Sequence, residues 1–206
     1  MQPLAVVLFL PFVCLTTAFD KIISTNGTFA NRRNYSTISV VNGGRWGDWT
    51  WSDFCPEKSY ASGFSVKVHD FGGFVSDDTS LNGIRLYCSS GHNSSIMYTI
   101  ESSSGEYGYW SGIRWCPQDS VLRSFQLKVE SDQGALKDDT AVNNIKFRCS
   151  NGVVLEESGG RFGEYGGWSN VCVKGGICGI QTRQEPYRPW VTDNTGMNDV
   201  RFFCCE

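Results

Sequence analysis

The chain of 206 residues carries 18 lysines and arginines against 21 aspartates and glutamates, and its basic residues are scattered along the sequence. It lacks the clustered basic stripe that nucleic-acid binding requires, so we expect no nucleic-acid partner. With 23 glycines and 14% aromatic residues, its composition is typical of many short strands joined by tight turns.

The amino terminus has the pattern of an export signal. Residues 1–18 contain no Asp, Glu, Lys or Arg, and an apolar run from Leu4 to Leu15 precedes small residues that end at Ala18. This pattern predicts a signal peptide over residues 1–18, cleaved after Ala18. An uncleaved membrane anchor is the alternative, but the run is shorter than the roughly 20 residues that a bilayer span needs. We therefore expect a secreted, extracellular protein without membrane insertion.

Residues 19–36 form a polar amino-terminal segment with two Asn-x-Ser/Thr sequons, at Asn26 and Asn34. A third sequon begins at Asn93. In an exported protein these asparagines are candidate N-glycosylation sites on exposed loops.

Two sequence motifs each occur three times. The motif Asp-(Asp/Asn)-Thr-x-apolar-Asn-x-(Ile/Val)-(Arg/Lys)-(Leu/Phe)-x-Cys spans 77–88, 138–149 and 193–204. The motif Gly-x-aromatic-Gly-x-aromatic begins at Gly44, Gly105 and Gly160. A fixed period indicates one structural unit copied along the chain. We predict a single domain over 37–206, built of three repeats at about 37–91, 92–152 and 153–206.

Within each repeat the hydrophobic pattern has a period of two. Phe64, Val66 and Val68 alternate with polar residues, and Ile84 and Leu86 do so before the motif cysteine. The other repeats carry the same alternation, which predicts half-buried strands, about four in each repeat. No stretch has a sustained helical pattern.

Three four-stranded sheets can bury their apolar faces together. Sheets that face a common axis form one core with pseudo-threefold symmetry. A propeller is the competing arrangement, but three blades are fewer than propellers usually have. We therefore predict an all-β, three-sided prism.

Eight cysteines remain after removal of Cys14 with the signal peptide, and an even number in an exported chain predicts disulfides. The repeat period predicts the bonds Cys55–Cys88 and Cys116–Cys149, and it pairs Cys172 and Cys178 with Cys204 and Cys205 in an order that the sequence leaves open. A zinc site is the alternative, but the cysteine spacings do not fit one and the chain has only two histidines. We expect no metal or other cofactor.

The two triplicated motifs, the strand from Phe64 to Val68 and the Cys204-Cys205 ending resemble the vitelline membrane outer layer protein 1 family, from about residue 37 to the end. The resemblance implies a β-prism of three Greek-key sheets. It also implies a secreted structural component of the egg's outer coat, and an association of the family with chito-oligosaccharide transfer. Repeat three departs from the pattern, because Ile180 to Arg183 is a weak strand, so any ligand contact on that face is in doubt.

Paired carboxylates invite a glycosidase-like interpretation. The candidates are Asp77, Asp78, Asp138, Asp139 and Asp193. A structural role is favoured, because Asp and Thr before a strand shape turns through side-chain hydrogen bonds, whereas catalysis needs one asymmetric site. Asn82, Asn143 and Asn198 are interpreted as turn residues in the same way. We assign no catalytic residue.

The second aromatic residue of the glycine motif is a candidate for stacking on sugar rings. The predicted carbohydrate-binding residues are Trp49, Trp110 and Tyr165 with Asp48, Asp77, Asp138 and Asp193. Two hypotheses follow. The first is a non-enzymatic scaffold of an extracellular coat that binds coat proteins and glycans. The second is a carbohydrate-active protein, either a lectin or a weak chito-oligosaccharide transferase.

Overall fold

A computed structural model describes residues 21–24, 32, 34–69, 81–90, 96–130, 142–185 and 196–206 of the chain. Every regular element in these ranges is a strand. In chain order they are β1 Lys21–Ser24, β2 Tyr35–Ile38, β3 Asp48–Trp49, β4 Asp53–Phe54, β5 Tyr60–Val68, β6 Leu81–Ser89, β7 Ile96–Glu101, β8 Tyr109–Trp110, β9 Arg114–Trp115, β10 Leu122–Val129, β11 Val142–Cys149, β12 Val154–Glu156, β13 Glu164–Tyr165, β14 Gly176–Gln184 and β15 Met197–Cys205. The predicted signal peptide, residues 1–18, lies outside the described residues.

The strands form three sheets, each built on a long antiparallel hairpin. The first has the order β1-β7-β6-β5-β8, with β9 also paired to β5 and β1 parallel to β7. The second has the order β12-β11-β10-β13. The third has the order β2-β15-β14-β3, with β4 also paired to β14. In the first two sheets the hairpin, the next strand and the strand that returns beside the hairpin form a Greek key, and in the third sheet β2 and β3 take the places of the two later strands. The predicted prism of three Greek-key sheets is confirmed.

The sheets do not coincide with the sequence repeats. Each central hairpin comes from one repeat, while its short flanking strands come from the next one, as β7 and β8 join the hairpin β5–β6. The ring closes because β2 and β3, near the amino terminus, flank the last hairpin, β14–β15. The sequence analysis assigned four strands to each repeat. The structure instead shares the strands between consecutive repeats, which ties the three sheets together.

The inner faces of the hairpins meet in one core. Phe64, Phe125, Phe147 and Phe202 are fully buried, as the alternating pattern predicts. The ring centres of Phe64 and Phe147 are 4.7 Å apart, those of Phe125 and Phe202 are 4.8 Å apart, and those of Phe147 and Phe202 are 5.2 Å apart. The aromatic residues of all three sheets therefore pack on one another along the prism axis.

Three disulfides join the segment before a hairpin to its second strand, and a fourth joins the two strands of the third hairpin. They are Cys55–Cys88, Cys116–Cys149, Cys172–Cys204 and Cys178–Cys205. The first three occupy equivalent positions in the three copies, with sequence separations of 33, 33 and 32 residues. The fourth has no counterpart in the other two copies among the described residues. The structure thereby gives the order that the sequence left open at Cys204 and Cys205.

The third hairpin has a polar inner face. Thr182 on β14 is fully buried, and it occupies the position of Val66 on β5 and of Leu127 on β10. Its backbone N–H donates to the Ser102 hydroxyl at 3.0 Å, and its own hydroxyl donates to the Ser103 carbonyl at 2.8 Å. The stretch that looked like a weak strand is thus a nine-residue strand. Its buried polar groups are satisfied by the segment that follows β7.

Candidate functional site

The three predicted stacking residues lie on three different sheets. Trp49 is on β3, Trp110 is on β8 and Tyr165 is on β13, and each is half-buried. They occupy equivalent positions around the prism, so the structure does not bring them together in one cleft.

A cation from the other repeated motif covers each of these rings. Arg201 lies 4.4 Å from the ring centre of Trp49, and Arg85 lies 4.1 Å from that of Trp110. Lys146 lies 3.9 Å from the ring centre of Tyr165. A cation over an aromatic face contributes about 0.5 to 2 kcal/mol, depending on burial. A contact within the fold therefore accounts for the recurring cation of one motif and the second aromatic residue of the other.

Carboxylates hold two of these cations in place. Glu101 on β7 pairs with Arg85 at 2.8 Å, and Glu156 on β12 pairs with Lys146 at 3.2 Å. Glu156 also accepts a hydrogen bond from the Tyr165 hydroxyl at 2.6 Å. Burial, together with this hydrogen bond and the negative charge of Glu156, raises the pKa of Tyr165 well above its ordinary value. The phenol stays protonated and acts as a donor at every physiological pH.

The glycine of the aromatic motif binds the asparagine of the other motif. The N–H groups of Gly44, Gly105 and Gly160 donate to the carbonyls of Asn198, Asn82 and Asn143 at 2.6, 2.8 and 2.6 Å. The three asparagines are buried within β15, β6 and β11. The expectation that they are turn residues is wrong, because they begin strands and anchor the neighbouring motif instead.

A third set of contacts fixes the loops of the aromatic motif. Lys67 donates to the Gly105 carbonyl at 2.7 Å, and Lys128 donates to the Arg161 carbonyl at 2.8 Å. In the third copy Arg183 donates to the Gly47 carbonyl at 2.9 Å. These cations extend from the central strands to the loops that precede β8, β13 and β3. They too serve the fold.

The described ends of the three central hairpins converge. Gln184 at the end of β14 donates to the Asn82 carbonyl at the start of β6, at 3.3 Å. Asn42 donates to the carbonyl of Leu127 near the end of β10, at 3.0 Å, and it lies two residues before Gly44. Asp77, Asp138 and Asp193 fall between these strand ends in the sequence but lie outside the described residues. Their assignment to a carbohydrate site stays a prediction.

One carboxyl at this end has a shifted pKa. Asp199 on β15 lies beside Arg183 and Arg201, and its Oδ1 accepts the Val200 N–H at 2.8 Å. Burial outweighs these favourable contacts and raises the pKa of Asp199 to about 6. At the equivalent position of the second copy, Asn144 makes the same contact with the next N–H, at 2.8 Å.

The second copy departs from the other two on its surface. Asp48 is exposed on β3 and Glu164 is exposed on β13, whereas the equivalent residue on β8 is Tyr109, whose side chain is 88% exposed. Glu106 likewise replaces the arginine at positions 45 and 161, which stacks on the following ring in the other copies. The sequence analysis did not single out Tyr109. Its departure from the acidic residue of the other repeats was the available signal.

A cleft of 1080 Å³ opens near the carboxy terminus. We call it the carboxy-terminal cleft. Its walls include Asn34, Tyr35, Lys58, Lys174 and the adjacent cysteines Cys204 and Cys205, which belong to two different disulfides. Asn34, one of the three predicted glycosylation sites, is exposed here, while Asn26 and Asn93 lie outside the described residues.

Among the described residues, no group of three or more His, Cys, Asp or Glu side chains is arranged to hold a metal ion. In the same part of the chain, no helix is long and apolar enough to cross a membrane.

Solved structures that are similar to this chain include two lectins. Calystegia sepium agglutinin covers 84% of this chain and 97% of its own, with a TM-score of 0.52 and 14% identity. A mannose-specific jacalin-related lectin from Morus nigra, in complex with mannose, covers 84% of this chain and 94% of its own, with a TM-score of 0.51 and 11% identity. At these identities the likeness establishes the β-prism fold.

Sequence relatives are much closer. The vitelline membrane outer layer protein 1 homologue of Mus musculus is 49% identical over 173 residues, which are 84% of this chain and 85% of the relative. The homologue of Homo sapiens is 45% identical over 176 residues, which are 85% of this chain and 86% of the relative. The family model named Vitelline membrane outer layer protein I matches residues 36–206. The chain belongs to the vitelline membrane outer layer protein I family.

Proposed function

We propose that this protein is a secreted, non-enzymatic scaffold of an extracellular coat of the vitelline outer layer type, and that it binds coat glycans and coat proteins. One observation supports this proposal above the others. Among the described residues, those that recur in all three repeats are engaged in contacts within the fold, as Arg85 covers Trp110 and Gly105 binds Asn82. Triplicated motifs that are used in this way favour a rigid body over three copies of a catalytic site.

Rigidity suits a coat component. Four disulfides fit an oxidising, extracellular setting. In the chain-entropy model, closing a loop of about 33 residues contributes roughly 3 to 4 kcal/mol to stability. A protein held in this way keeps its surface geometry during long residence outside cells.

Glycan contact is favoured where the second copy departs from the symmetry. Tyr109 is the most exposed aromatic side chain of the described part of the chain, at 88%. A phenol has an apolar ring face, which packs on the C–H face of a sugar ring. Its hydroxyl donates and accepts hydrogen bonds, so it also binds sugar hydroxyls. The exposed Glu106 lies three residues away and supplies an acceptor for sugar hydroxyls. Trp49, Trp110 and Tyr165 fit this role less well, since a cation already covers each ring.

The test uses labelled, secreted protein and isolated egg outer layer. We expect saturable binding that falls when the layer is stripped of glycans or when free oligosaccharides compete. Tyr109→Ser is expected to weaken the glycan-dependent part of this binding. Val41→Ser, which removes a fully exposed apolar side chain elsewhere, is expected to leave that part unchanged.

Enzymatic transfer is tested in the same samples. Chito-oligosaccharides incubated with the protein are expected to keep their chain lengths, followed by mass spectrometry. Absence of binding to the layer would contradict the scaffold proposal. Redistribution into longer and shorter chains would replace it with the transferase alternative.

A further inference from the structure

The carboxy-terminal cleft is lined by one aromatic residue, Tyr35, which packs against two further rings of the third sheet. The ring of Tyr35 lies 5.2 Å from that of Phe54 and 4.8 Å from that of Phe203, and these two rings stack at 4.8 Å. Phe54 and Phe203 are buried, whereas 49% of Tyr35 is exposed. The three rings form a rigid stack that presents one aromatic residue to the cleft.

Asn34, which directly precedes Tyr35, is a candidate glycosylation acceptor. Asn34, Tyr35 and Ser36 form an Asn-x-Ser sequon, and all three line the cleft. Asn34 has a φ of 58°, in the left-handed region that asparagine tolerates better than most residues. It precedes β2 directly, so the strand fixes where a sugar on its side chain begins.

The segment before Asn34 is also anchored. One guanidinium nitrogen of Arg32 donates to the carbonyls of Cys55, Pro56 and Ser59 at 3.1, 3.0 and 3.1 Å. The acceptor asparagine therefore lies between an anchored arginine and a paired strand. A glycan attached there starts inside the cleft rather than on a free tail.

The walls of the cleft can bind sugar hydroxyls. Lys58 and Lys174 supply donors, while Glu57 and Glu206 supply acceptors. Lys174 and Glu206 already pair across the rim at 3.3 Å. The volume of 1080 Å³ lies just above the range of about 300 to 1000 Å³ typical of small-molecule sites. Several sugar rings fit in such a space.

We propose that Asn34 carries an N-linked glycan whose first sugars fold back into the carboxy-terminal cleft and pack on the Tyr35 ring. This inference rests on the export part of the proposed function, because N-glycosylation requires the secretory route. The glycan also covers β2, the edge strand of the third sheet. Edge strands invite pairing with other chains unless they are covered, so the glycan protects the prism from edge-to-edge association.

The first experiment establishes the modification. Wild-type protein is collected from the medium of cultured animal cells and treated with peptide-N-glycosidase, which converts a glycosylated asparagine to aspartate. Mass spectrometry of the peptide that contains residue 34 is expected to show this conversion. Secreted protein with an unmodified Asn34 would overturn the inference. Failure of the wild-type chain to reach the medium would instead overturn the proposed export.

The second experiment locates the glycan. Ser36→Ala removes the sequon and keeps the cleft, whereas Ser36→Thr keeps both and serves as the matched control. Acylation rates of Lys58 and Lys174 are compared with that of Lys146 on β11, which serves as an internal reference. We expect both cleft lysines to react more slowly in Ser36→Thr than in Ser36→Ala, on the order of five-fold if the glycan leaves the cleft open about a fifth of the time. Equal rates in a glycosylated protein would overturn the folded-back arrangement.

Discussion

The second and third hairpins occupy equivalent places in the prism but have different inner faces. β10 presents Phe125 and Leu127 to the core, both fully buried, whereas β14 presents Ile180 and Thr182 at the same positions. The two strands have the same pairing with their hairpin partners, including a register shift near each end. The repeat therefore specifies the backbone pairing of the hairpin. The polarity of the inner face is free to change where a neighbouring sheet supplies partners.

Exchanging the residue types between the two hairpins should have the largest effect on the free energy of unfolding. Leu127→Thr places a hydroxyl in the second hairpin, where the position equivalent to Ser102 is Val41, which has no hydroxyl. We expect a loss of about 3 kcal/mol in the free energy of unfolding, from the cavity and the unpaired hydroxyl together. Urea unfolding with the disulfides intact measures it. A loss below about 0.5 kcal/mol, the level of an ordinary surface substitution, would show that the second hairpin tolerates polarity unaided.

The partners of Thr182 should matter more than buried hydroxyls in general. Ser102→Ala leaves the buried Thr182 N–H without its acceptor, which should cost about 1 to 3 kcal/mol. Ser124→Ala is the matched control, since Ser124 is fully buried and its hydroxyl has no hydrogen-bond partner in the described part of the chain. We expect it to be neutral or slightly stabilising. Equal losses in the two variants, read from the same urea curves, would contradict the role of the partners.

The pair Asp199 and Asn144 extends the comparison to charge. The pKa of Asp199 is about 6 in the folded protein against an ordinary value of 3.8, so folding favours the protonated form. Its carboxyl therefore costs nothing below pH 3.8, and stability is lost as the pH rises from there through 6. Asp199→Asn should stabilise the protein by about 1 to 3 kcal/mol at pH 8 and have little effect at pH 3.5.

Thermal unfolding across this pH range checks the prediction for Asp199. The reverse change, Asn144→Asp, tests whether the second hairpin imposes a similar cost, and it should destabilise the protein above pH 6. A stabilisation by Asp199→Asn that did not vary with pH would show that burial of the charge is not its cause.

The sequence predicts the parts of this structure that depend on local pattern. Alternation at Phe64 and Val66 places these residues in the core, and the repeat period predicts three equivalent hairpins. The exchange of flanking strands between repeats is not predictable in this way, because a local pattern does not show which copy of β8 pairs with β5. The polar partners of Thr182 are equally hidden, since Ser102 lies 80 residues away in the chain.

The sequence likewise predicts only part of the candidate site. Trp49, Trp110 and Tyr165 were recognisable as a set from their spacing, but the cations above their rings come from strands of a different motif. The position of Tyr109 is exposed in all three copies, but only the second copy has an aromatic residue there, so a pattern of shared residues does not indicate it. Residue types that recur in all three repeats therefore indicate contacts that stabilise the fold. A residue type found in one repeat alone, such as Tyr109, is the better candidate for the proposed glycan contact.

The most direct test of the claim that the repeated aromatic residues stabilise the fold is Trp110→Leu, measured for both stability and glycan-dependent binding to the outer layer. Because Arg85 covers the Trp110 ring at 4.1 Å, we expect a loss of about 1 to 2 kcal/mol in the free energy of unfolding, with binding by the folded protein unchanged. Unchanged stability together with lost binding would contradict the account and return the repeated motifs to a role in glycan recognition.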